Sequence, residues 1–261
     1  KITMDDAGQD FRLLRSYHVS PTHGFLLEKP LSALPAYFAA WERLCTRLPE
    51  LLEKHQLRRE VELLPLLDHR LLQHYREWRL AHLVLSFLTQ GYVWQNGDKG
   101  VPQVLPKNLA VPLYGVSEYL GVKPVISHLS VVLANWEIKD DSLPVEIDNM
   151  KTLFRLPGGD QFDWFCLVTA QVELDGVEGL KGICFCKQGI SNQRADLVLR
   201  GMNMIEKSCT NMKSSLTGMK EKLTTEVFYN KMRPFLAGWA GDTYPLPNGL
   251  MYEGVNAKPL N

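Results

Sequence analysis

The residues best placed to do chemistry lie near the C-terminal end of the 261-residue chain. Tyr229, Arg233 and Leu236 fall at i, i+4 and i+7, on one face of a helix. Phe228, Met232, Phe235 and Trp239 fall on the adjoining face. The first face suits a pocket and the second a core. Arginine is always charged and offers a planar, bidentate donor, the natural partner of a carboxylate. Pro234 follows directly and disfavours α geometry at Arg233. A kink there would aim the guanidinium out of the helix; the alternative is a plain surface cation.

The histidines are His18, His23, His55, His69, His74, His82 and His128. His82 sits on the most apolar stretch of the chain and reads as a core histidine with its ring nitrogens hydrogen-bonded. Contact with a ligand and simple packing are both open for His128. Cys45, Cys166, Cys184, Cys186 and Cys209 have no spacing that suggests a disulfide framework, which reads as reduced thiols in the cytoplasm. Cys184 and Cys186 lack the partner motif that a metal site would need. No phosphate loop, dinucleotide fingerprint, H-E-x-x-H or G-x-S-x-G is present.

Periodicity makes the chain mainly helical. Helices are expected from Leu34 to Cys45, with Ser32 as N-cap, and from Pro49 to His55. The stretch from Asp68 to Gln95 has a broad apolar face and ends at Asn96-Gly97, so it reads as one buried helix. Val101 to Pro112 carries three prolines and reads as an extended linker, with short helices at Val116–Leu120 and Val125–Trp136. Phe162 to Leu174 is favoured as helix. Ala195 to Leu223 is a long amphipathic helix, and Thr225 caps a last one from Glu226 to about Trp239. The segment through Pro30 and the chain after Ala240 read as irregular. Residues 1–150 are expected to form a small helical unit, and 151–261 the start of a larger one.

Apolar residues at 45% and charged residues at 22% are ordinary globular values. Lys plus Arg balance Asp plus Glu at 29 each, so no basic field exists to hold nucleic acid or an anionic membrane. The longest apolar stretch, Leu80 to Val93, is too short and too polar to span a bilayer.

Three stretches carry a family likeness. They are Arg79-Leu-Ala-His-Leu-Val-Leu running on to Gly91-Tyr-Val-Trp94; Val104 to Pro112 with Val132-Leu-Ala-Asn-Trp136; and Phe228 to Trp239 closed by Gly249-Leu-Met-Tyr-Glu-Gly254. Their order and spacing resemble the indoleamine 2,3-dioxygenase family from about Ser16 to Gly254, with a drift over Leu174 to Asp196. The resemblance implies an all-α fold and a haem b cofactor. It also implies O2 and tryptophan or a related indoleamine as partners, and a cytoplasmic monomer.

The resemblance further implies that Arg233, Phe228, Tyr229, Phe165 and Leu236 bind substrate, and that Thr169, His128, Val132 and Cys166 line the haem pocket. His128 stands where a phenol is common in the family, and Cys166 replaces an aromatic. No side chain is assigned as catalytic, because iron carries the chemistry. The family's proximal histidine is expected past Asn261. Three readings follow: a tryptophan-cleaving dioxygenase, an oxygen carrier like the family's molluscan myoglobins, or an inactive truncated paralogue.

Overall fold

A computed structural model describes residues 11–239 and 245–255. Among these residues helices dominate, and the strands are two-residue pieces. Val104–Leu105 pairs in parallel with Met251–Tyr252. The chain divides into two compact units that alternate along the sequence. One comprises Lys1–Lys29, Ile138–Lys151 and Trp164–Lys222; the other comprises Pro30–Glu137, Thr152–Asp163 and Leu223–Asn261.

The second unit is built around the helix Tyr75–Trp94, in which every residue from Glu77 to Gly91 is buried. A helix with no solvent face must be packed all round. Ala39–Thr46, Leu57–Glu62, Lys107–Leu120 and His128–Val131 all pack against it. The continuous helix expected from Asp68 is interrupted. Asp68 caps a short 3-10 turn, His69–Leu71, and His74 is extended at φ −107, ψ 145. The carboxylate of Glu77 accepts from the backbone N–H groups of Gln73 (2.7 Å) and His74 (3.3 Å), so the capping box restarts the helix at Tyr75.

The linker expected over Val101 to Pro112 is instead half helix, because Lys107–Leu120 includes Pro112. Leu109, Ala110, Leu113 and Val116 are fully buried, and each leucine or valine among them contributes about 1.5–3 kcal/mol, enough to offset the hydrogen bond that proline removes. Asn108 anchors the first turn by donating to the carbonyls of Val61 (2.6 Å) and Leu64 (2.9 Å). Two more expectations fail nearby. Ser32 caps nothing: Pro35 precedes the 3-10 turn Ala36–Phe38, and the N–H of Leu34 is taken by Glu42 at 2.8 Å. The helix expected from Val125 to Trp136 shrinks to His128–Val131.

In the first unit the helix Asp160–Asp175 enters, and Val177–Ser191 and Ala195–Thr217 form an antiparallel pair. Sequence reading leaves Val177–Ser191 unassigned, and its glycines have a packing role. They are contact residues: a Cβ on Gly182 would lie 2.6 Å from the carbonyl oxygen of Gly201 on the facing helix. Ser208 and Ser215 both donate to Asp175, at 2.6 Å, to its carbonyl and its carboxylate. Residues 11–16 are helical rather than irregular, because Leu14 packs with Val19 and Cys184. The region after Ala240 lies partly outside the described residues.

Candidate functional site

The segment from Thr224 to Leu236 changes helix type twice. The Thr224 hydroxyl accepts from the N–H of Val227 at 3.3 Å and caps a single turn, Thr225–Val227. Phe228–Met232 then forms a π turn, and Arg233–Leu236 resumes α geometry with Pro234 in its first turn. Thr224 is therefore the cap, one residue before the one expected. Arg233 is helical at φ −51, ψ −40, against the extended geometry that Pro234 favours. The turn before it is widened: the N–H of Arg233 reaches back five residues to the carbonyl of Phe228. Such π insertions recur at functional sites. Met232, fully buried, holds the turn against Gly158.

The turn presents its aromatic and basic side chains outward. Phe228 meets Tyr229 edge-on, with centroids 5.4 Å apart. The Arg233 guanidinium lies 5.4 Å from the centre of the Tyr229 ring. Tyr229, Arg233 and Leu236 line one cavity of ≈ 490 Å³, joined by Trp94 at the end of the central helix and Asp98 in the turn Asp98–Gly100 after it. Gln90, completely buried on that helix, fixes the far wall. Its amide donates to the carbonyls of Phe235 (2.9 Å) and Ala237 (2.8 Å). Sequence reading missed Asp98 and Trp94; Gly91-Tyr-Val-Trp94 stood out only as a family motif.

The other expected site residues lie elsewhere. His128 and Val132 belong to the same unit, on and just after the short helix His128–Val131; His128 is exposed and Val132 buried. Neither lines the cavity at Arg233. Phe165, Cys166 and Thr169 lie in the first unit, on one helix. Phe165 is half-buried, Cys166 is buried, and the hydroxyl of Thr169 donates to the Phe165 carbonyl at 2.7 Å.

His82 is held as a core histidine. Its Nε2 lies 3.4 Å from the carbonyl of Lys123, which accepts only, so Nε2 carries the proton. Nδ1 then accepts from the hydroxyl of Ser130 at 2.6 Å. Burial lowers its pKa from 6.5 to about 4, opposed by the Lys123 carbonyl and assisted by Arg79. This pair ties the segment that carries His128 to the central helix.

A haem iron needs an imidazole nitrogen free to coordinate it. His82 has both nitrogens engaged in the core, and His55 is held by Gln95 and Asn96. Among the described residues no cluster of His, Cys, Asp or Glu is placed to hold a metal ion. Both ring nitrogens of His82 are thus taken, and this residue does not fit the role of proximal ligand. Among the described residues no helix is long and apolar enough to cross a membrane.

The family model described as indoleamine 2,3-dioxygenase matches residues 13–260. The chain is 41% identical to human indoleamine 2,3-dioxygenase 2 over 95% of its own length and 60% of the relative's. It is 40% identical to a myoglobin of Haliotis diversicolor, covering 95% of this chain and 64% of that one. The indoleamine 2,3-dioxygenase of Saccharomyces cerevisiae is 32% identical, with 92% and 55% covered. The chain thus spans about three-fifths of the length of the curated relatives it matches.

Proposed function

This chain belongs to the indoleamine 2,3-dioxygenase family, and from that membership we propose that it carries the substrate-binding elements of a haem-dependent tryptophan dioxygenase. The whole protein would insert O2 into the indole ring to give N-formylkynurenine, in the cytoplasm and as a monomer. Haem b, when bound, supplies the oxygen chemistry.

The observation that carries this reading is the cavity at the π turn, where Arg233, Tyr229 and Leu236 converge. Arg233 binds the substrate carboxylate through paired N–H donors. Tyr229 and Phe228 offer ring surfaces to the indole, and Leu236 an apolar wall. Phe165 is proposed as a further substrate-binding residue, and Thr169, Cys166, His128 and Val132 as haem-pocket residues. None of these side chains is proposed to form a covalent bond to substrate. Their work is binding, orientation and exclusion of water.

The test is tryptophan affinity in Arg233→Gln. A charge-assisted hydrogen bond is worth about 1.5–3 kcal/mol, so affinity should fall roughly 10- to 100-fold. An unchanged dissociation constant would remove the assignment. The second reading, a reversible oxygen carrier, rests on His128 and Cys166 at the proposed pocket positions, since the identities to the Haliotis myoglobin (40%) and to the human dioxygenase (41%) favour neither. A stable oxygenated haem spectrum with no formylkynurenine absorbance would establish it over the enzyme.

A further inference from the structure

The helix Lys107–Leu120 ends at Gly121, in left-handed backbone at φ +69, and the short helix His128–Val131 follows. Residues 122–127 between them form neither helix nor strand. A stretch without a hydrogen-bond ladder of its own takes its course from groups elsewhere in the fold. Here three buried side chains supply them. The Tyr252 hydroxyl donates to the carbonyl of Pro124 at 2.6 Å. His82 reaches both ends of the stretch: Nε2 donates to the carbonyl of Lys123 (3.4 Å), and Nδ1 accepts from the hydroxyl of Ser130 (2.6 Å). The Arg79 guanidinium donates to the carbonyl of Leu129 at 3.3 Å.

The three side chains come from two separate supports. Arg79 and His82 stand three residues apart on the central helix, and the Tyr75 hydroxyl accepts from Arg79 at 2.9 Å. Tyr252 belongs to the strand Met251–Tyr252, which pairs with Val104–Leu105. Next to it, the Glu253 carboxylate accepts from the N–H of Lys107 at 2.9 Å, at the start of the helix Lys107–Leu120. A loop tied to one support can pivot about it. A loop tied to two moves only when a hydrogen bond breaks.

We propose that Tyr252, His82 and Arg79 are positioning residues, which fix the segment carrying His128 and Val132 before any ligand arrives. A wall built in advance spares a ligand the cost of ordering it. Tyr252 acts through the carbonyl of Pro124, Arg79 through that of Leu129, and His82 through Lys123 and Ser130. None of the three needs to touch a ligand. The proposal gives a task to Gly249-Leu-Met-Tyr-Glu-Gly254, which the family likeness singles out and which lines no part of the Arg233 cavity. It rests on the reading of His128 and Val132 as haem-pocket residues.

The experiment is amide hydrogen exchange on the full chain, read residue by residue by NMR. The probes are the N–H groups of Val131, Val132 and Leu133, which donate to the carbonyls of Ser127 (3.0 Å), His128 (3.1 Å) and His128 (3.2 Å). Tyr252→Phe removes one hydroxyl and keeps the ring. Loss of that hydrogen bond should speed the probes about five- to tenfold. His82→Leu should do the same, and His82→Gln, which keeps a donor and an acceptor, should lie closer to wild type. Amides of the helix Ala39–Thr46, in the same unit, should exchange as in wild type. Probes that do not respond, or that speed up no more than the Ala39–Thr46 amides, would refute the positioning role.

Haemin titration followed by absorbance tests the pocket reading apart from the mounting. His128→Ala and Tyr252→Phe should each weaken haemin binding about fivefold. If exchange responds as expected but neither variant changes haemin binding, or wild type binds none, the role of the mounted segment at a haem pocket in this chain is refuted. If His128→Ala weakens haemin while Tyr252→Phe alters neither exchange nor binding, the pocket reading stands and the positioning role is refuted.

Discussion

Acid should loosen this protein through His82, and the size of the effect follows from its surroundings. The side chain is completely buried, with its pKa lowered from 6.5 to about 4. Between those values the unfolded chain takes up a proton that the folded chain refuses. Stability is therefore fully present above about pH 6.5 and falls as pH drops towards about 4, where the folded form also protonates. The gap from 6.5 to about 4 corresponds to about 3 kcal/mol, of which about 2 kcal/mol should be lost by about pH 5. His23 and His69 are also lowered by burial and act in the same direction, so wild type alone does not isolate His82. His82→Gln does: glutamine keeps a donor and an acceptor but does not titrate. Urea unfolding followed by tryptophan fluorescence at about pH 7, 6 and 5 gives the two slopes. Wild type should lose about 2 kcal/mol more than the variant across that range. Parallel slopes would refute the reasoning, and with it the neutral His82–Ser130 link that holds the His128 segment.

Three further outcomes follow from the packing. Phe162 is fully buried and meets Phe87 edge-on, so Phe162→Ala should cost about 3–5 kcal/mol in chemical denaturation. Gly201→Ala would drive a Cβ into the Gly182 carbonyl oxygen and the Cys186 sulfur; a loss of about 1–3 kcal/mol should appear as a lower thermal midpoint. Gln90→Leu leaves the carbonyls of Phe235 and Ala237 without their donor, which should cost about 1–3 kcal/mol. Because those carbonyls fix the wall of the Arg233 cavity, the same variant should bind tryptophan more weakly in titration calorimetry.

The sequence by itself determined the elements whose signals are local. Three- and four-residue apolar spacing places the helices Tyr75–Trp94 and Ala195–Thr217 to within a few residues, except where Asp68 and His74 break the first early, while Asp160–Asp175 is favoured as helix only from its helix-rich surroundings. The same pattern marks His82 as a core residue, and the ordered motifs carry the family membership. The tertiary structure alone decided the rest. Pro112 sits inside a helix because buried neighbours outweigh its missing donor. The glycines of Val177–Ser191 are helical because a facing helix approaches too closely for a Cβ. Arg233 is helical directly before Pro234, after a π turn whose Met232 is fully buried, which no local propensity expresses. Asp98 shares a cavity with Arg233 only because the central helix ends where the π turn arrives. Local periodicity encodes which face of a helix is apolar. Which distant side chains then meet depends on how whole helices pack, and single-chain spacing carries no record of that.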